Sequence, residues 1–127
     1  MCACSMKRVM IVDAAAFMRL ILREILESNG CEIVAEAANG EEAIRLYEIH
    51  KPDVVTMDIT LPVLDGLEAT QTILAEHPNA QIIICSAMSH HDLIMEMIDI
   101  GVKDFIVKPF QEDRIIAAVD RLYEQCS

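Results

Sequence analysis

Five short apolar runs rich in β-branched residues, each followed by a segment of helical period, predict an α/β domain built on one five-stranded parallel sheet. The row Ile82, Ile83, Ile84 supports that class, because a strand covered by helices on both faces has no polar face to alternate with. The length of 127 residues fits one domain spanning 1–127, with 1–6 as a frayed N-terminal extension.

Val9 to Val12 reads as the first strand. The helix near Ala15 to Ser28 carries Phe17, Leu20, Ile21, Ile25 and Leu26 at helical spacing, and Asn29 with Gly30 supplies its stop signal. Glu32 to Ala37 is a second strand. Asn39 and Gly40 turn the chain into a helix near Glu41 to His50, closed by Lys51, Pro52 and Asp53. Val54 to Met57 is the third strand and ends at Asp58; a loop from Leu61 to Gly66, with Pro62 and the Asp65–Gly66 turn pair, opens a third helix reaching about His77. Gln81 to Cys85 is the fourth strand, and its loop begins at Ser86. A helix near Asp92 to Ile100 stops at Gly101, Phe105 to Val107 is the fifth strand, and Lys108 with Pro109 leads into a last helix near Glu112 to Gln125. Internal repeats, linkers and low-complexity segments are absent from the sequence.

Hydrophobic residues make up 54% of the chain, enough to bury a core without disulfides or a structural metal. Trp is absent and aromatics are scarce, so Ile, Leu, Val, Ala and eight Met must fill that core; Met88, Met95 and Met97 read as filling rather than as a partner surface. The formal charge of −11 argues against nucleic acid as a partner, since a polyanion would be repelled. Apolar runs fall short of the ~18–20 residues of a membrane span, and Met1 to Lys7 lacks the apolar stretch of a signal peptide, so a cytoplasmic location is expected. Five Cys, an odd count without an export signal, favour free thiols. Cys31 and Cys85 lie in apolar runs as small core residues, while Cys2 and Cys4 are too few for a zinc site. His90 and His91, being adjacent, do not share a helical face and read as a solvated helix start.

In an open parallel sheet, ligands bind outside the carboxyl ends of the strands. Asp13 follows the first strand, Asp58 the third, Ser86 the fourth and Lys108 the fifth, which gathers two acids, a hydroxyl and an ammonium on one edge. Taken singly, each is an ordinary cap, turn or solvated residue. Together they suit phosphoryl chemistry: Asp58 as nucleophile toward phosphorus, Asp13 as a holder of Mg²⁺, Ser86 as a donor to a phosphoryl oxygen and Lys108 as a neutralising charge.

Four segments carry a resemblance that covers about Lys7 to Tyr123: ValMetIleValAsp at Val9 to Asp13, AspIleThrLeuPro at Asp58 to Pro62 followed by AspGly at Asp65, CysSerAlaMet at Cys85 to Met88, and LysProPhe at Lys108 to Phe110. With them the chain resembles the CheY-type response-regulator receivers. The resemblance implies a flavodoxin-like sheet in the order 2-1-3-4-5, phosphorylation of Asp58, contacts from Ser86 and Lys108 to the phosphoryl group, and Mg²⁺ held by Asp13, Asp58 and the Thr60 carbonyl. It further implies that Phe105 is the switch aromatic, although Phe lacks the hydroxyl of the Tyr often found there, and that the Lys108–Pro109 peptide is cis.

One departure stands out. Receivers usually carry two adjacent acids after the first strand, and here Asp13 is followed by Ala14, which should weaken Mg²⁺ binding without abolishing it. The expected function is a stand-alone two-component signalling switch in chemotaxis, phosphorylated by a histidine kinase and signalling to a flagellar motor or adaptor protein through the face of the fourth helix, fifth strand and last helix. Such a switch would be a monomer and not an enzyme, beyond self-catalysed phosphorylation and dephosphorylation. Two other readings follow from the same residues: a pseudo-receiver that binds protein without being phosphorylated, supported by Ala14, and a small phosphatase, disfavoured because no second substrate pocket is apparent.

Overall fold

The computed structural model describes residues 7–59, 61, 63–86, 91–108 and 111–126. Thr60, the Lys108–Pro109 peptide, Met88, His90 and the N-terminal cysteines lie outside the described residues. The strands are β1 (Lys7–Val12), β2 (Cys31–Ala37), β3 (Val54–Asp58), β4 (Ile82–Ser86) and β5 (Asp104–Val107). The helices are α1 (Ala16–Glu27), α2 (Gly40–His50), α3 (Gly66–Glu76), α4 (His91–Asp99) and α5 (Glu112–Cys126). All strand pairs are parallel, in the order β2-β1-β3-β4-β5. The order reverses between β1 and β3, the place where an open sheet of this kind leaves a crevice for a ligand.

Alternate residues of each strand enter two separate cores. Val9, Ile11, Val54, Ile83 and Ile106 pack with Leu22 and Leu26 of α1 and Ile115, Ala118, Val119 and Leu122 of α5. Met10, Val12, Val55, Met57, Ile82 and Ile84 pack on the other side with Ala43 and Tyr47 of α2, Ile73 and Leu74 of α3 and Met97 of α4. Burial on both faces explains why the strands read as near-continuous apolar runs. Cys31 and Cys85 are buried free thiols, as core residues should be.

One apolar assignment, Met95 as core filling, needs correction, and two apolar residues of α1 lie outside the core. Phe17 and Leu20 share the helical spacing of α1 but are 69% and 52% exposed, and Leu22 with Leu26 makes the buried stripe instead. The spacing marks a helix but does not say which of its faces meets the sheet. Met97 is buried as core, whereas Met95 is 52% exposed on the outer face of α4.

Side-chain caps begin two of the helices that leave the carboxyl edge. Asn39 accepts from the Glu42 amide at 2.8 Å at the start of α2, and Asp65 accepts from the Glu68 amide at 2.9 Å at the start of α3. Helix α1 starts differently: Ala15 stands at its N-cap and offers no side-chain bond. Its first turn is organised by residues of the site.

Candidate functional site

The four polar residues read from the sequence converge at the carboxyl edge of the sheet. Asp58 and Ser86 are the last residues of β3 and β4 rather than the first of their loops, and Asp13 and Lys108 directly follow β1 and β5. Asp13 is 2%, Ser86 2% and Asp58 9% exposed. The Lys108 ammonium lies 3.1 Å from Asp13 Oδ2 and 3.4 Å from Asp58 Oδ2, so one cation serves two buried acids. Taken alone Lys108 reads as a solvated side chain; the structure corrects this, since its side chain is only 26% exposed and bridges carboxylates. Burial pulls its pKa down, but Asp58 and Asp13 together raise it above the ordinary 10.5, so the ammonium stays charged.

Asp13 is fixed on three sides. Its amide donates to the Ala37 carbonyl at 3.0 Å, its Oδ1 accepts from the Ala15 amide at 2.9 Å, and its carbonyl accepts from Arg19 at 2.7 Å. One carboxylate oxygen is thus spent on orientation while the other faces Lys108. Asp58 is held by its own backbone surroundings: Gly66 donates to the Ile59 carbonyl at 2.8 Å, and the α3 turn packs so close that a Cβ on Gly66 would stand 2.1 Å from the Asp58 carbonyl oxygen. The Asp65–Gly66 pair therefore serves both as a cap and as a seat for the end of β3.

Two buried carboxylates at the ends of neighbouring strands form the hard oxygen donor set that Mg²⁺ takes, and the residues fit such an ion held through few carboxylates and several waters. Ala14 is exposed beside them and adds no donor. Phe105 is half-buried against the core under α2, α3 and α4, one strand across from the β4 end that carries Ser86. Its carbonyl accepts from Arg114 at 2.9 Å, and Arg114 and Arg121 both bond Asp104 beside it. Sequence reasoning missed Arg19 and Asp104, because their roles depend on which distant backbone they reach. A second group, Glu48, Glu76 and His77, lies on the exposed α2–α3 side, with His77 Nε2 2.8 Å from Glu48 and its ring beside Tyr47. That contact joins the two helices.

Fold and site together define a receiver: a doubly wound sheet with acids at the carboxyl ends of its first and third strands and a lysine after its fifth. The chain belongs to the response regulator receiver domain family, whose sequence profile matches residues 9–120. It is 50% identical over 116 residues to the chemotaxis protein CheY of Thermotoga maritima, covering 91% of this chain and 97% of that protein. Identity to the chemotaxis protein CheY of Bacillus subtilis is also 50%, over 90% of this chain and 95% of the relative. A chain from the CheX–CheY–BeF3–Mg²⁺ complex of Borrelia burgdorferi superposes with a TM-score of 0.88 at 36% identity, covering 91% of this chain and 88% of that one. Among the described residues, no helix is long and apolar enough to cross a membrane.

Proposed function

We propose that this receiver is a chemotaxis response regulator that takes a phosphoryl group onto Asp58 from a histidine kinase and signals by changing shape. The observation that carries the reading is the single ammonium of Lys108 facing both Asp13 and Asp58. A carboxylate oxygen of Asp58 attacks the phosphorus of a phosphohistidine; the O–P bond forms as the P–N bond breaks, and the departing imidazole regains a proton. Lys108 then gives up carboxylate contact for a phosphoryl oxygen, and the Ser86 hydroxyl donates to another. Asp13 and Asp58, with the Thr60 carbonyl that the family resemblance implies, would hold Mg²⁺, which when bound would supply charge to offset repulsion between phosphoryl oxygens and carboxylate.

Because the acceptor is the domain's own side chain, the chain is a partner in the transfer and not a turnover enzyme. Movement of Ser86 toward the phosphoryl group frees space that Phe105 enters, and the change is read on the face of α4, β5 and α5 by a flagellar motor or adaptor protein. The protein acts in the cytoplasm as a monomer. Ala14 removes one direct metal contact, so Mg²⁺ binds more weakly here than in a receiver with both acids.

Mass spectrometry after exposure to acetyl phosphate and Mg²⁺ tests the reading. Phosphate should add to the parent and not to Asp58→Asn; equal labelling of the two overturns the site. Ala14→Asp should bind Mg²⁺ at least tenfold more tightly and label faster. A parent that never labels beside an Ala14→Asp variant that does would establish a phosphorylation-independent binding module instead.

A further inference from the structure

We propose that Arg19 is a positioning residue that sets the direction in which Asp13 presents its carboxylate to the cation. This inference rests on the Mg²⁺ reading of the site. Helix α1 begins without a side-chain cap at Ala15, and the chain from Asp13 to Ala15 has only alanine side chains after the acid. Arg19, one turn into the helix, closes the gap: its guanidinium donates to the Asp13 carbonyl at 2.7 Å, and its own amide bonds the Ala15 carbonyl at 3.1 Å. The guanidinium is aimed from the far side, because its Nε donates to Glu36 Oε1 on β2 at 3.2 Å. The planar fork of arginine makes both contacts at once, in a way a lysine cannot.

Pinning the Asp13 carbonyl fixes the Asp13–Ala14 peptide, the unit between the acid and the Ala15 amide that donates to Oδ1, and so supports the turn that leaves Oδ2 toward the site. With Ala14 unable to contribute, the orientation of this one acid carries more of the metal affinity. The chain of contact runs Glu36, Arg19, Asp13. Arg23 is a built-in comparison: it also bonds Glu36, through Nε at 2.7 Å to the other carboxylate oxygen, and Glu27 at 3.0 Å, but among the described residues it makes no hydrogen bond to Asp13. Each arginine keeps Glu36 paired when the other is removed.

Simple electrostatics and positioning predict opposite signs. Removing a positive charge beside a cation site should strengthen Mg²⁺ binding, whichever arginine is removed. If Arg19 positions Asp13, Arg19→Ala should instead weaken Mg²⁺ binding five- to tenfold by calorimetric titration, while Arg23→Ala stays equal to the parent or binds slightly tighter. Arg19→Lys, which keeps the charge and one donor, should recover part of the loss. Amide hydrogen exchange gives a readout independent of metal: Arg19→Ala should speed exchange at Ala15 at least tenfold, and Arg23→Ala should not. Tighter Mg²⁺ binding in Arg19→Ala, or Ala15 exchange equal in both variants, overturns the proposal. Failure of the parent to bind Mg²⁺ would overturn the reading of the site, and the Ala15 exchange would still decide the role of Arg19.

Discussion

The two edges of the sheet use charge and glycine in opposite ways. At the amino edge, Arg8 donates to the carbonyls of His50 and Lys51 at 2.7 and 3.0 Å, and Asp53 accepts from the Arg8 amide at 3.0 Å. There the charged side chains close off backbone groups that the start of a strand would leave open. At the carboxyl edge, Asp13 and Asp58 are buried against one ammonium, an arrangement that costs desolvation and serves a ligand. Glycines divide in the same way. Gly30, at the α1–β2 junction of the amino edge, has φ +86 and open space around its Cα, so it is there for backbone conformation. Gly66, at the carboxyl edge, is there for contact with Asp58. Each edge has one non-glycine residue at positive φ among the described residues, Lys51 at φ 43 on the amino edge and Val63 at φ 67 on the carboxyl edge, and the value is the less favourable for the β-branched valine. One edge is built for stability and the other gives some of it up.

The glycines offer the largest test. Gly66→Ala drives a Cβ into the Asp58 carbonyl at 2.1 Å, a backbone clash that no side-chain movement relieves, and should cost about 3 kcal/mol in urea unfolding. Gly30→Ala meets nothing and should cost only the left-handed conformation, about 1 kcal/mol. Equal costs would erase the distinction between the edges.

Next comes removal of one cation from each edge. Lys108→Ala leaves two buried carboxylates without their shared ammonium and should destabilise the domain by about 2 kcal/mol, a value reduced for the partial exposure of the lysine. Saturating Mg²⁺ should restore much of that stability. Arg8→Ala should cost about 1 kcal/mol, show no recovery with Mg²⁺, and leave labelling of Asp58 unchanged. A recovery in both variants would mean that the metal acts elsewhere.

The outline of this division was legible in the sequence. Strand and helix order followed from apolar runs and turn residues, and the site residues followed from one rule about strand ends. What the sequence withheld were contacts between residues far apart in the chain. Nothing local marks Lys108 as a bridge between acids, Arg19 as a donor to the carbonyl of Asp13, or Phe17 as exposed while Leu22 is buried. Helical period identifies an element, but its rotation against the sheet is settled by packing with the other helices.

A smaller effect separates the edges by pH. Cys85 pairs with Asp58 across β3 and β4; burial pushes its thiol up from 9.0 to about 12, with Lys108 easing the shift and Asp58 and Asp13 adding to it. The folded state therefore holds this proton more tightly than the unfolded chain. Its contribution to stability is complete below about pH 9 and drains away as the pH rises toward 12. One unit above 9, the parent should have lost about 1 kcal/mol to this group, and Cys85→Ala should show a flatter decline over the same window. A slope unchanged by Cys85→Ala would assign the alkaline loss to other groups.

A last effect, of similar size, lies on β3 itself, halfway between the edges. Thr56 is 0% exposed, and its hydroxyl has no hydrogen-bond partner among the described residues. Strand alternation puts it on the same face as Val54 below and Asp58 above, within the apolar core that α1 and α5 cover. A buried hydroxyl that has left water without a partner carries its desolvation penalty, and valine has nearly the same shape without that penalty. Thr56→Val should therefore raise stability by about 1 kcal/mol, with a strand preference that favours valine at least equally. Asp58 should label at the parent's rate, because the substituted atom lies a full two-residue step beneath the acceptor. If stability falls instead, the hydroxyl is satisfied and belongs to the structure of the strand. If stability rises while labelling slows, the polar demands of the carboxyl edge reach one row deeper into the sheet than its four converging side chains.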